Sequence, residues 1–504
     1  MAKKKKGGGR LLVLLLLLVA LIVAYIGYDL YEKKQENEKE AEANAEESIE
    51  VSTIEEADIT SIYYKNDMAE VTLVKNSEDA WVNEAKPEVP LKSTTTNNIA
   101  TKVESIIATK LINENAEDVA EYGLDSPSLT VTVTKTDGSK VTVLVGDESP
   151  LGDGNYICLE GSSTVYLVDT SFATVFESTE NELTEVADAP SITAANITHL
   201  LLENQEQGNL EITYDTNNEY DFSDTGVAPY VINQGYDVPI SGNTTNITDF
   251  FAQFTTLSYA QCVDYSGTDL AQYGLEDPYA TLSIDYYEET ETTSEGTDSD
   301  SEDTSTQTVR TDYSYNLLIG NLNDDESAYY VKVSDRNSVY TMTKSMVDVM
   351  FDYDLFGLTS KYVQLVNVLS VSEIDMLCNG ENHTLTIDHS TTTDEDGNES
   401  NTQVFSLDGE EKEEETARDL FQAIISPLYD AAIPEGYSDA DQPVVASFTF
   451  KRTSDNNEKD VVTEYKDYDD SFYTVSVNGV EKFLVDKRDL TDITDKLNDL
   501  MNME

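Results

Sequence analysis

Alternation of apolar and polar positions recurs in blocks along this chain. Leu129-Thr130-Val131-Thr132-Val133 places its apolar residues on one side of an extended strand and its threonines on the other. Ala280-Thr281-Leu282-Ser283-Ile284 has the same period. Three other stretches follow helical spacing instead. They are Ile99, Val103, Ile106, Ile107 and Leu111; Ile247, Phe250, Phe251, Phe254 and Leu257; and Leu420, Phe421, Ile424, Ile425 and Leu428. The spacing predicts three amphipathic helices. One segment shows no alternation: residues 11–26 (LLVLLLLLVALIVAYI) carry no charged side chain, and Lys3, Lys4, Lys5, Lys6 and Arg10 precede them.

These blocks repeat in order. Ala120-Glu121-Tyr122-Gly123-Leu124-Asp125-Ser126-Pro127 is echoed by Ala271-Gln272-Tyr273-Gly274-Leu275-Glu276-Asp277-Pro278. After each turn come the alternating strand, a second strand ending in Gly (Val141 to Gly146, Tyr315 to Gly320), and a strand bearing Tyr156 or Tyr330. A closing strand follows at Val165-Tyr166-Leu167-Val168 or Val339-Tyr340-Thr341-Met342. A worn third copy carries Gly436-Tyr437, Pro443, Phe448, Phe450, Phe472-Tyr473 and Phe483-Leu484-Val485-Asp486. Upstream, each copy opens with β-like segments: Ile59 to Leu73, Ile197 to Tyr214 and Val371 to Ile387. Trp81, Tyr220 and Phe405 follow them and read as core anchors.

Each unit therefore reads as three strands, a helix, a turn and four strands. The turn has a structural explanation: Gly123 and Gly274 end a helix in the left-handed region, Leu124 and Leu275 enter the core, and Pro127 and Pro278 start a strand. The fold class is α+β, an N-terminal transmembrane helix followed by three repeats of antiparallel sheet with covering helices.

The expected divisions are a basic cytoplasmic tail (1–10), a transmembrane helix (11–28), a charged stalk (29–53) and three repeats at 54–185, 190–358 and 362–504. The second repeat holds an acidic Ser/Thr-rich hairpin insertion at 288–308, expected to be disordered. Residues 390–401 read as another expanded hairpin tip. A basic cluster before about 18 apolar or small residues reads as an uncleaved span with its basic end in the cytoplasm and the bulk of the chain outside. Cleavage is disfavoured because no small-x-small site follows the apolar run closely.

Charge sharpens this picture. The chain has 31 basic and 98 acidic residues. The first 28 residues hold five basic and no acidic ones, so the remainder has 26 against 98, a net −72. Such a surface repels nucleic acid and anionic lipid, and attracts cations, Ca²⁺ weakly among them. No EF-hand loop fits: Asp298-Ser299-Asp300 and Asp394-Glu395-Asp396-Gly397 lack its spacing.

Candidate chemistry is thin. Cys158, Cys262 and Cys378 are too few and too far apart for a disulfide framework or a zinc pattern. His199 lies in an apolar strand. His383 and His389, six apart, share a strand face but have no third metal ligand at short range. No nucleophile elbow and no phosphate loop occurs. Carboxylate pairs arise by chance among 98 acidic residues, which leaves an envelope hydrolase the weakest reading. No catalytic, cofactor or metal residue is assigned. The residues singled out are those of the turn: Tyr122, Gly123, Leu124, Pro127, Tyr273, Gly274, Leu275 and Pro278.

The paired Tyr-Gly-Leu-x-x-Pro turns, the later Gly and the closing Tyr strands resemble the bacterial family known as domain of unknown function 4340. The resemblance covers residues 55 to 350 and fades in the last third. It implies a single-span envelope protein, in some members associated with ABC-type transporter components of the kind linked to gliding motility. The expectation is a non-enzymatic, plasma-membrane-anchored extracytoplasmic protein. The bilayer would be contacted through residues 11–28, and an ABC-type transporter component would be its membrane partner. The alternative is a binding module for wall polymer, peptide or cation.

Overall fold

The computed structural model describes residues 48–215, 229–236, 238–294, 305–393, 399–434, 436–452 and 460–502. The expected tail, span and most of the stalk lie outside the described residues, as does Tyr220. Among the described residues no helix is long and apolar enough to cross a membrane. The chain divides into two compact units, Met1–Val186 and Ala187–Glu504.

The first unit begins with β1 (Ile49–Thr53), β2 (Ile59–Lys65), β3 (Glu70–Lys75), β4 (Trp81–Asn83) and α1 (Ser93–Glu104). It continues through β5 (Ser105–Ala108), β6 (Lys110–Asn113), β7 (Leu129–Lys135), β8 (Lys140–Glu148), β9 (Asn155–Leu159) and β10 (Val165–Val168). Short helices α2 (Ser171–Thr174) and α3 (Glu180–Leu183) close it. Eight strands form one antiparallel sheet in the order β4-β3-β2-β7-β8-β9-β10-β6. It consists of two meanders joined in the middle, where Ile62 faces Val133.

The alternation seen in the sequence is the burial pattern of the sheet. Leu129, Val131 and Val133 are buried while Thr130 and Thr132 are not. Ile99 and Val103 of α1, with Phe172, Phe176 and Leu183, cover that face. Trp81 belongs to this core, as expected. A smaller cluster of Leu124, Cys158 and Val165 lies apart from it.

The second unit holds two further sheets. The first comprises β11 (Ile197–Asn204), β12 (Gly208–Tyr214), β13 (Tyr230–Gln234), β14 (Ile240–Ser241), α4 (Thr244–Phe251), β15 (Gln261–Asp264) and β16 (Ala280–Ser294). It is completed by β17 (Ser305–Leu322), β18 (Ala328–Val333), β19 (Val339–Thr343), α5 (Lys344–Met350) and α6 (Leu355–Leu358). The second comprises β20 (Val371–Cys378), β21 (Glu381–Thr393), β22 (Glu399–Leu407), β23 (Glu410–Lys412), α7 (Glu414–Ile425) and β24 (Ala431–Ala432). Then follow β25 (Val444–Arg452), β26 (Val461–Asp467), β27 (Phe472–Val477), β28 (Val480–Asp486) and α8 (Lys487–Asn502). Their orders, β14-β13-β12-β11-β16-β17-β18-β19-β15 and β23-β22-β21-β20-β25-β26-β27-β28-β24, repeat that of the first sheet with one further strand, β14 or β23, at one edge. The central junctions pair Leu202 with Leu282 and Ile374 with Phe450.

These two repeats share a core. Ile240 is buried with the third-repeat cluster, and Tyr236 and Val238 pack against it. The Tyr236 ring meets Phe483 edge-on at 5.5 Å. Phe405 is fully buried, as expected. The 16-residue α8 stands where the second repeat has the shorter α5 and α6, and buries Leu490, Ile493, Leu497 and Leu500.

Four expectations need correction. The first helix ends at Glu104 rather than reaching Leu111, and Ile106 and Ile107 lie on β5, which pairs with β1. Two adjacent β-branched side chains suit that strand, and β1 supplies a partner that periodicity alone does not reveal. For the same reason the stalk stops short of residue 53, because Ile49 and Val51 of β1 pack on the core. Each helix is also followed by a short edge strand, β6, β15 or β24, absent from the expected order. Finally, residues 288–294 and 305–308 continue the β16–β17 pairing as far as Ser294 opposite Ser305. Backbone pairing does not require apolar side chains, so a polar Thr- and Glu-rich segment can extend the ladder. The other expanded tip behaves likewise, with Thr393 opposite Glu399.

Candidate functional site

The parts that recur between repeats meet at one corner. In the first repeat a short 3₁₀ turn (Val119–Tyr122), capped by the Asp118 carboxylate accepting from the Ala120 amide at 2.9 Å, ends at Gly123. Gly123 has φ 70°, and Gly274 at the matching place has φ 69°. This is the left-handed region that glycine adopts without cost from a Cβ. Leu124 and Leu275 are then buried. The turn backbone presses on a Gly near the end of β8 or β17: a Cβ on Gly146 would collide with the Tyr122 carbonyl oxygen, and one on Gly320 with that of Tyr273. Pro127 and Pro278 precede β7 and β16 as expected.

The tyrosine of each turn has a partner that the sequence did not pair with it. Tyr122 meets Tyr156 with ring centroids 5.1 Å apart, and Tyr273 meets Tyr330 at 4.9 Å. All four rings are half-buried. Partial burial, reinforced by Asp264, raises the Tyr273 hydroxyl above its ordinary range.

The third repeat builds the same corner from different chemistry. Val145 faces Ile157, Ile319 faces Val331 and Tyr465 faces Val475, so Lys466 stands where Gly146 and Gly320 stand, and Thr474 where Tyr156 and Tyr330 stand. Lys466 Nζ lies 3.0 Å from Asp439 Oδ1, and Thr474 Oγ1 donates to Asp439 Oδ2 at 2.6 Å. Asp439 and Thr474 are buried. An ion pair and the Thr474 hydroxyl stand at the Gly and Tyr positions of the two inner strands, while Tyr437 meets a different ring, Tyr468, at 4.8 Å.

The other singled-out residues do not converge. His199 Nε2 lies 3.0 Å from Glu211 and Nδ1 3.5 Å from Asp285. His383 Nδ1 donates to Asp408 at 2.8 Å, and His389 Nε2 to the Val371 carbonyl at 2.7 Å. Partial burial pushes the Asp408 carboxyl up, but the bonds from His383 and the Thr384 amide outweigh it and leave it below the ordinary value. His383 and His389 both lie on β21, yet six residues of strand span about 20 Å, too far for one metal ion. Among the described residues no group of three or more His, Cys, Asp or Glu side chains is placed to hold a metal. The three cysteines are free and buried.

Among the described residues the surface has open hollows. One of about 500 Å³ is polar, lined by Glu56, Thr60, Lys75 and Asp79. Lys75 Nζ there reaches Asp79 at 3.1 Å and sits over the Trp81 ring. Another, about 360 Å³, lies beside α7 and is floored by Val366, Val368, Phe421 and Ile425, with Arg418 lining it. Arg418 is already bonded to Glu414 at 2.8 Å.

Sheets of one strand order, each with its turn corner, define a tandem-repeat α+β protein. The chain belongs to the family described as Domain of unknown function (DUF4340), which matches residues 81–234 and 230–431. The match begins later and ends later than the residues 55 to 350 that carry the resemblance in sequence. It reaches into the third repeat and ends at residue 431, before Gly436-Tyr437. No curated protein matches the chain, and no solved structure does.

Proposed function

We propose that this is a membrane-anchored extracytoplasmic protein of a bacterial envelope, which acts by protein contact as an accessory or interaction subunit of an ABC-type transport system. The observation that carries this reading is where the recurring residues are spent. Gly123, Leu124 and Gly146, like Gly274, Leu275 and Gly320, hold the chain to itself rather than facing a common ligand. A duplicated scaffold of this kind gives a large surface for partners. The basic cluster and apolar run at residues 3–28 support the anchor. Mild-detergent extraction followed by affinity purification tests the reading. Recovery of a transporter component in fixed ratio is expected. Recovery of the chain alone, under conditions that keep known transporter complexes intact, overturns it.

A second reading, capture of a wall polymer, peptide or cation, is favoured by the half-exposed pairs Tyr122–Tyr156 and Tyr273–Tyr330, since such rings stack on sugars. A glycan array and calorimetric titration with Ca²⁺ test it. Absence of binding at millimolar ligand removes it.

A further inference from the structure

We infer that one end of the first sheet rests on the outer leaflet of the bilayer, with Met68, Ile107 and Leu151 seated in its interface. The inference rests on residues 11–28 being the membrane anchor. Strand register fixes which end is meant. Ile49, where the N-terminal segment joins the unit, faces Ala108. Thr109 follows and bonds the Leu167 carbonyl. Val168 faces Asn155 and Glu148 faces Asn155 on its other side, so the β8–β9 loop lies at this end. Lys65 faces Thr130 at the start of β7, which brings the β2–β3 turn to the same end.

Three large apolar side chains stand exposed there: Leu151 at 82%, Met68 at 62% and Ile107 at 51%. Two of them sit on braced tips. Ser149 Oγ donates to Asp153 at 2.7 Å, and Lys110 Nζ holds the same carboxylate at 2.9 Å, fixing the loop that carries Leu151. The Asn66 side chain accepts from the Met68 and Ala69 amides at 2.8 and 2.7 Å, fixing the turn that carries Met68. A tip held in shape loses little freedom when it inserts. Separate protruding tips fit an interface that yields to each rather than a rigid protein face. Asp67, Glu70, Asp147, Glu148 and Asp153 outnumber Lys65 and Lys110 at this end, which disfavours a second copy of this acidic chain and anionic headgroups alike, and leaves a zwitterionic surface as the occupant. The anchor keeps that surface at high effective concentration.

The sole tryptophan makes the test simple. Trp81 is 8% exposed and pairs with Lys75, at the far end of the sheet. The full chain and its Leu151→Trp and Lys140→Trp variants are reconstituted into phosphatidylcholine vesicles with or without brominated acyl chains, and flotation confirms insertion. Lys140 starts β8 at the far end, exposed. Expected is a blue-shifted Leu151→Trp emission that brominated lipid lowers about twofold, with Lys140→Trp unaffected. If all chains float but bromine quenches the two variants alike, the inference falls and the anchor stands. A blue shift without lipid quenching means that protein covers the tip, and also overturns it. Failure to float removes both.

Discussion

Gly146 lies directly beneath the Tyr122 carbonyl, and no side chain fits between them. Gly320 stands in the same relation to Tyr273. Replacing Gly146 by Ala must move backbone, because the clashing atom belongs to the turn itself. We expect a loss of about 3 kcal/mol, at the upper end for overpacking. Gly138 has φ 80° but open space around it, so Gly138→Ala costs only about 1 kcal/mol, from its dihedral alone. Urea denaturation of the two variants checks the order. Equal losses would mean that the corner yields.

The Lys466–Asp439 pair makes the opposite kind of corner, and it responds differently to single and paired substitution. Asp439→Ala leaves the ammonium and the Thr474 hydroxyl without their partner and costs about 3 kcal/mol. Asp439→Leu combined with Lys466→Met removes both charges and recovers most of that loss. A double variant as unstable as the single one would show that the charges are needed for more than each other.

Lys361 gives stability a definite pH signature. Its Nζ donates to the Phe356 carbonyl at 2.5 Å and sits against the Phe356 ring, and desolvation lowers its pKa to about 8. An unfolded lysine titrates near 10.5. Between those values the unfolded chain binds more protons than the folded one, so this group makes stability rise with pH across that window. Lys361→Met should flatten the rise. Denaturation midpoints at pH 7.5 and 9.5 for both chains decide it, and parallel profiles would exclude Lys361 as the source.

The three cysteines should be silent in the folded protein. Burial pushes the Cys262 thiol up to about 11 and raises that of Cys158. Thiolate, the reacting form, is scarce in such sites. Reaction with a thiol reagent at pH 8 is expected to be negligible in buffer and to reach three equivalents in denaturant. A rapid single equivalent in buffer would identify a thiol in an opening segment.

Much of this fold was readable from particular residues. The alternation Leu129 to Val133 gave a strand and its buried face, and Tyr-Gly-Leu with its later Gly gave two copies of one unit. The left-handed glycines were expected from the turn alone, and φ agrees. What escaped was non-local. Helical spacing ran through Ile106 and Ile107 because the pairing of β5 with β1 involves residues far upstream. The ring contacts Tyr122–Tyr156 and Tyr273–Tyr330 required knowing which strands lie side by side. The third corner was legible only as Gly436-Tyr437 and Pro443, because Lys466 and Asp439 share no residue pattern with the Gly and Tyr of the other two. His383 and His389 share a strand face, as their equal parity indicates, but parity says nothing of separation along the strand.

The central junction of each sheet has a consequence for biosynthesis. Ile62 waits for Val133, Leu202 for Leu282 and Ile374 for Phe450, so the strand laid down first in each copy stays unpaired on its inner side until the copy is more than half made. A chain that emerges end-first thus presents an open, apolar strand three separate times. The nascent polypeptide's need for chaperone protection should rise and fall in three waves, each ending when a copy's second meander has emerged.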